Sequence, residues 1–496
     1  MLYKSTRNDE IRVEASQAII KGLSDDGGLF IPESIPSVSL DEIKNLLGRT
    51  YNERAESILS KFLTDFSPEQ INHCVSGAYT SEKFGSKNIS ELHKLNDSVS
   101  FLELWHGPTC AFKDMALQIL PYLLTTSVKI NKLDKTVVIL VATSGDTGKA
   151  ALEGFADVPG TKIIVFFPDG GVSNIQRLQM ITQSGGNVYS CAVKGNFDDV
   201  QTFVKQIFTD SEYKKKLNAA NHDFSSANSI NWGRLVPQVV YYIDAYCKMI
   251  DNGEIKLGDE INVVVPTGNF GNILAAYYAK RAGVPIKKLV CASNSNNVLT
   301  DFIRTGVYNK NRKFNLTVSP SMDILISSNL ERLLYDLSDC NTVKKLMHDL
   351  KNDGKYEITP SMKTAIDELL WADFCDDNET LKTINDAFTE YGYLMDTHTA
   401  VGYAVYKKYI AETGDNTKTI IASTASPFKF NNSVYKAIKG EAPDNKSEFE
   451  LLSEVAEASG LSVPKSLAEL ETKKPRFEQV VTKDGMRDVV TEFLGL

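Results

Sequence analysis

No stretch of this 496-residue chain carries an apolar run near 20 residues, so no membrane-spanning helix is expected. No C-x-x-C pair occurs among the seven cysteines, Cys74, Cys110, Cys191, Cys247, Cys291, Cys340 and Cys375. Their odd number and wide spacing argue against a disulfide frame or a zinc site and point to reduced thiols in a reducing compartment. The six histidines form no H-x-x-x-H pair, which argues against a histidine metal site. A basic excess is missing too. Lys and Arg number 54 against 63 Asp and Glu, a net charge of −9. That balance gives no support to nucleic-acid or anionic-membrane binding, though it allows a local basic pocket for a small anion. There is no internal repeat and no low-complexity tract. The opening MLYKSTRNDEIRVEAS is charged and lacks the apolar core of a secretory signal. These absences leave, as the expectation, a soluble cytoplasmic protein with no evident obligate protein partner.

What is present is enough apolar sequence, 42%, for substantial cores in more than one domain. Residues 1–95 read as a mostly helical lobe. Helical spacing runs through Glu14–Leu23, Leu40–Leu47 (with Ser39 as a cap) and Ala55–Leu63. From Thr136 the texture changes. TVVILVA at 136–142, KIIVFF at 162–167, residues 187–193 and NVVV at 262–265 are β-branched runs, as strands covered on both faces should be. Helical stretches such as Asn174–Gln183 lie between them. The alternation predicts an α/β fold with open, mainly parallel sheets whose ligands sit at the carboxyl ends of the strands. Residues 297–395 read as a mostly helical insertion, with helices over Asp323–Leu337, Cys340–Leu350 and Leu381–Tyr391 and a solvated turn at Lys351–Glu357. The expected division is 1–95, then 96–125 with 215–440 as a large domain, 126–214 as a small α/β domain, and 441–496 as a helical extension packed outside.

Four stretches carry candidate chemistry. In HGPTCAFKDMALQ, residues 106–118, a Gly-Pro turn delivers Lys113 to the start of a helix. The positive end of a helix dipole is a poor place for a lysine. Taken alone, Lys113 is a snorkelling surface residue. Fixed and desolvated, it would be an amine able to hold an aldehyde cofactor as an imine. The second stretch, Thr143–Gly148 (TSGDTG), follows a strand and opens a helix; taken alone it is a plain capped turn, and its hydroxyls and N–H groups could otherwise hold an anion. It is no Walker loop, since Ala150 follows Lys149. The third, Thr267–Asn272 (TGNFGN), also joins strand to helix, and its glycines remove Cβ atoms where a phosphate must approach. It is too short for a dinucleotide fingerprint and suits a single phosphate. The fourth, Ile420–Phe428 (IIASTASPF), ends a strand in hydroxyls able to meet a neutral ring nitrogen, though taken alone it reads as an ordinary Ser/Thr-rich turn before Pro427.

In their order these stretches resemble the threonine synthases of fungi and many bacteria, within the fold-type II pyridoxal-phosphate enzymes (tryptophan synthase β-like). The resemblance extends through Tyr3–Arg7, Asp26–Phe30, Asn228–Arg234, Pro320–Leu333 and Asp396–Gly402. It implies pyridoxal 5'-phosphate as cofactor, with Lys113 as the imine lysine and acid/base. By position, Gly268, Asn269, Phe270 and Asn272 would cradle the cofactor phosphate, and Thr424 would face the pyridine nitrogen. Ser144, Asp146 and Thr147 would meet the substrate, with Asn231 and Arg234 as helpers. Arg234 and Lys429 are candidates to add charge near a leaving phosphate, with surface ion pairing as the other reading. The implied reaction converts O-phospho-L-homoserine and water to L-threonine and phosphate. A related phospho-lyase or serine/threonine dehydratase, releasing a 2-keto acid, is the alternative. The chain departs from the family pattern at three places: Asn8 for glycine, Thr397 for proline, and Ser426 and Phe428 for His and Ala.

Overall fold

The computed structural model describes the whole chain except Ser144 and residues 442–444, and except the side chains of Phe197 and Asp198. Two sheets organise it. The larger runs, edge to edge, Leu370–Phe374, Ile286–Ser293, Ile261–Pro266, Thr419–Ser423, Val99–Glu103 and Glu91–Lys94. All its pairings are parallel except the last. The smaller runs Val480–Thr482, Val188–Lys194, Thr161–Pro168, Thr136–Ala142 and His222–Ser225, all parallel. The continuous apolar runs are its inner strands: Val137–Val141 is buried throughout, as a strand sandwiched between helix layers must be. The fold is α/β with two open, mostly parallel sheets.

The N-terminal segment is helical beyond a small antiparallel sheet of Tyr3–Ser5, Asn8–Val13 and Phe30–Pro32. Ser39 caps its second helix in a reciprocal capping box with Glu42. Helix Tyr51–Phe62 packs on the helix Trp232–Asp251, which spans 20 residues and is buried along nearly its whole length. Buried Arg54 bonds Asp244 at 2.9 Å across this contact and also reaches Asp251. No expectation covered that long helix, which is buried on nearly every face and holds Pro237 inside.

The structure corrects four expectations. The small sheet continues past residue 214, because His222–Ser225 pairs with Thr136–Ile139. The C-terminal segment is not only helical: Val480–Thr482 adds an edge strand to the small sheet. The insertion at 297–395 includes strands Val307–Asn309, Lys355–Glu357 and Leu370–Phe374, so Lys355–Glu357 is no free turn. Its Tyr356 is buried and stacks on Tyr308. The helix expected over Asp323–Leu337 is confined to Leu330–Asp336. Backbone groups of residues 325–329 bond outward and not along a helix: Tyr308 Oη donates to the Leu325 carbonyl at 3.0 Å and accepts from Ser327 N–H at 2.8 Å, and Asn329 N–H donates to the Asn269 carbonyl at 3.1 Å.

Candidate active site

The lysine loop is stitched to the strand end at 424–426. Phe112 N–H donates to the Thr424 carbonyl at 2.8 Å, Ala111 and Ala425 form a β-bridge, and Ser426 N–H donates to the Cys110 carbonyl. Residues more than 300 positions apart in sequence are thereby fixed side by side. Asp114 locks the turn from within, its buried carboxylate accepting from Thr109 N–H at 2.8 Å and Thr109 Oγ1 at 2.7 Å. Burial raises its pKa to about 6, although the Thr109 bonds oppose the shift. Cys110 is held at φ 59° in the same turn, its thiol pushed up to about 11 by burial, which makes it a packing residue and not a nucleophile.

Lys113 is not a surface lysine. Its side chain is 12% exposed, and Nζ lies 3.5 Å from Asp146 Oδ2. Lys429, wholly buried, reaches the other oxygen, Oδ1, at 2.8 Å and donates to the Thr109 carbonyl at 2.8 Å. One carboxylate thus sits between two ammonium groups. Burial lowers the pKa of Lys113, and the charges of Lys429 and Arg234 lower it further against the opposing pull of Asp146. Burial would raise Asp146, yet the two lysines outweigh it and hold this carboxyl far below its ordinary range. Gln176 Nε2 donates to the same carboxylate at 2.9 Å. Arg234 is buried, its pKa brought down to about 10 by desolvation, and its Nε has no partner among the described residues. The surface ion-pair reading of Arg234 and Lys429 is therefore excluded.

The second loop differs in its polarity. Helix Gly271–Ala282 starts without a side-chain cap and without an acid in its first turn. Phe270, the residue before it, adopts φ 62°, a left-handed conformation that costs a non-glycine residue roughly 1–2 kcal/mol. Asn272 accepts at Oδ1 from the hydroxyls of Tyr241, at 2.7 Å, and Tyr242, while its buried Nδ2 has no partner among the described residues. A helix N-terminus with a strained entry and an unmatched amide donor suits an anion. The residues present therefore fit the phosphate of the implied cofactor. This loop is joined to the lysine through Ser321, whose Oγ lies 3.5 Å from Asp146 Oδ2 and whose carbonyl stands 2.9 Å from where a Cβ on Gly268 would be.

The remaining positions divide. Thr147 lies half-buried in the first turn of helix Asp146–Phe155. Ser144 lies outside the described residues. Thr424 is buried at the strand end. Asn231 caps helix Trp232–Asp251: its Nδ2 donates to the carbonyls of Ile19 and Ser226, and its Oδ1 accepts from Gly233 N–H. Those bonds occupy both its amide hydrogens. Sequence reasoning missed Gln176, Ser321 and the pair His398–Asp396. His398 Nε2 accepts from Ser321 N–H at 3.1 Å while Nδ1 meets Asp396 Oδ2 at 2.8 Å. Their motif, 396–402, carried a signal of family and none of position.

Comparison with known proteins agrees with this geometry. Residues 2–79 match the family model "Threonine synthase N terminus", 84–424 "Pyridoxal-phosphate dependent enzyme", and 399–490 "Threonine synthase, C-terminal". Human threonine synthase-like 1 is 41% identical over 436 residues, 86% of this chain. The chain spans only 58% of that relative's length. Threonine synthase of Schizosaccharomyces pombe is 35% identical over 474 residues, 89% of this chain and 90% of that protein. A crystal structure of PLP-bound threonine synthase from Brucella melitensis superposes with a TM-score of 0.87 at 34% identity, over 100% of this chain and 98% of that one. With matching sequence over most of its length and the same fold, the chain belongs to the threonine synthase family of pyridoxal-phosphate-dependent enzymes.

Proposed function

We propose that the chain converts O-phospho-L-homoserine and water to L-threonine and phosphate. The observation that carries this reading is the buried group Lys113, Asp146 and Lys429 beside Arg234. It supplies a proton carrier of lowered basicity and two further cations inside an acidic protein. Asn269 and Phe270, through backbone N–H groups, and Asn272 Nδ2 would hold the phosphate of pyridoxal 5'-phosphate, with Gly268 keeping the approach clear. Lys113 would anchor its aldehyde carbon, and Thr424 Oγ1 would meet the ring nitrogen without charging it. When bound, the cofactor supplies an electron sink for the substrate's Cα.

The protein's own groups do the rest. Lys113 Nζ, freed by the substrate amine, takes the proton from Cα and then serves at Cβ, because burial keeps bulk water from exchanging it. Thr147, in the first turn of helix Asp146–Phe155, would receive the substrate carboxylate together with Ser144. Asp146 holds both lysines in register. Lys429 and Arg234 neutralise phosphate as the Cγ–O bond breaks; Cγ then gains a proton, the hydroxyl of water ends on Cβ with its proton going to phosphate, and Lys113 returns a proton to Cα. Asn231 acts through the helix it caps and so orients Arg234, three residues on. The seven cysteines, none in a disulfide, support a cytoplasmic setting.

The test is incubation of the holoenzyme with O-phospho-L-homoserine and identification of the organic product. L-threonine with equimolar phosphate is expected. Release of 2-oxobutanoate in its place would transfer the chain to the phospho-lyase alternative.

A further inference from the structure

The strained turn at 268–270 does not hold itself. Ser327 Oγ donates to the Gly268 carbonyl at 2.7 Å. Asn329 donates twice to the Asn269 carbonyl, from its backbone N–H at 3.1 Å and its Nδ2 at 3.0 Å. In a trans peptide the C=O and the following N–H point in opposite directions. With both carbonyls drawn toward 327–329, the N–H groups of Asn269 and Phe270 are turned to the other face. Asn329 is itself fixed by Arg332, whose guanidinium bonds Asn329 Oδ1, the Phe30 carbonyl at 3.0 Å and the Ile230 carbonyl at 2.6 Å. Arg332 is fully buried.

We infer that Ser327 and Asn329 are positioning residues for the cofactor phosphate, orienting the loop from behind without touching the ligand. The inference rests on the cofactor reading above. It differs from a general structural role in being specific to the phosphate. The aldehyde end of the cofactor depends on Lys113, in another loop, and gains nothing from this turn. Through Arg332 and the Phe30 carbonyl, the N-terminal lobe becomes part of the same support.

The experiment compares apo-protein binding of pyridoxal 5'-phosphate with that of pyridoxal, which lacks the phosphate, by visible absorbance. Ser327→Ala and Asn329→Ala are each expected to weaken the phosphorylated ligand about fivefold, as each removes one side-chain hydrogen bond to the loop while the Asn329 backbone N–H keeps its own. Pyridoxal affinity stays within about twofold in both. Ser327→Thr, which keeps the hydroxyl, restores the wild-type preference. Should Asn329→Ala fail to fold, Ser327→Ala with its threonine rescue decides alone. Equal losses for both ligands, or an unchanged preference in Ser327→Ala, overturn the inference. A wild-type protein that binds neither ligand would overturn the cofactor reading itself, and this proposal with it.

Discussion

Two strand-to-helix loops look alike in sequence, TSGDTG after Ala142 and TGNFGN after Pro266. The structure gives their helix starts opposite charge arrangements. In the first, Thr143 Oγ1 accepts from Gly145 N–H at 3.0 Å and Gly148 N–H at 2.9 Å, and the helix opens on a buried carboxylate, Asp146. This helix N-terminus brings its own anion, and two lysines answer it. In the second, the first turn has neither cap nor acid, and Asn272 offers an unmatched donor. A helix dipole attracts negative charge in both cases. One loop supplies a carboxylate of its own to its helix start, and the other supplies none.

The largest effect tests the lysine that answers the first loop's carboxylate. Lys113→Ala should cost turnover about 10⁴-fold or more, as loss of a combined anchor and acid/base does. The visible absorbance of bound cofactor should disappear while far-UV circular dichroism is unchanged. Full turnover in this variant would end the assignment.

Next comes the internal anion. Asp146→Asn leaves Lys429 buried without its partner, a change that is strongly destabilising locally, and turnover should fall on the order of 10²–10³-fold. The sign of a second effect follows from the charges. Asp146 raises the pKa of Lys113, whereas burial, Lys429 and Arg234 lower it. Without the carboxylate, Lys113 loses its proton at lower pH. The pH profile of cofactor capture, which needs the neutral amine, should therefore move to lower pH. A shift to higher pH would show that Asp146 does not govern this lysine.

A pair of glycine variants sharpens the contrast within the ligand loop. A Cβ at Gly268 would stand 2.9 Å from the Ser321 carbonyl, closer than any real contact, whereas one at Gly271 would stand 3.4 Å from Asn329 Nδ2. Gly268→Ala should displace the segment that links the two loops and lower cofactor affinity about tenfold. Gly271→Ala, at a helix start where alanine is favoured, should stay within about twofold. Equal losses measured by cofactor titration would mean that the ligand crowds both positions.

The legibility of these parts in the sequence follows their range. The strands of the small sheet were readable because Thr136–Ala142 and Lys162–Phe167 are uninterrupted apolar runs, and the two loops because each follows such a run. Lys113 was singled out by a motif and not by physics, since nothing local distinguishes a buried lysine from a surface one. The edge strand Val480–Thr482 was unreadable: three residues carry no period, and their partner lies nearly 290 positions earlier. Ser327 and Asn329 were hidden similarly, about 60 residues from the loop they hold. Residues 325–329 defeat the helix expectation because their backbone groups bond Tyr308 and Asn269, partners that no local rule joins to them.

The smallest effect separates two buried aspartates. Asp146 is held low by lysines, whereas Asp114, next to Lys113, is raised to about 6 by burial. An unfolded aspartate titrates near pH ~3.9, so the folded state binds the Asp114 proton more tightly. Its contribution to stability is then full below about pH 4 and is lost as pH rises through about 6. Asp146 behaves oppositely, contributing above the unfolded value and losing that contribution only as pH falls toward its depressed one. Asp114→Asn removes the first titration and keeps the shape of the turn. Relative to the variant, the wild type should lose about 1–3 kcal/mol between pH 4.5 and 7, an upper range for a shift of some two units. Thermal midpoints of the apo-protein at matched ionic strength would show the gap narrowing as pH rises. A gap independent of pH would mean that Asp114 keeps its charge throughout, answered by Lys429 as Asp146 is.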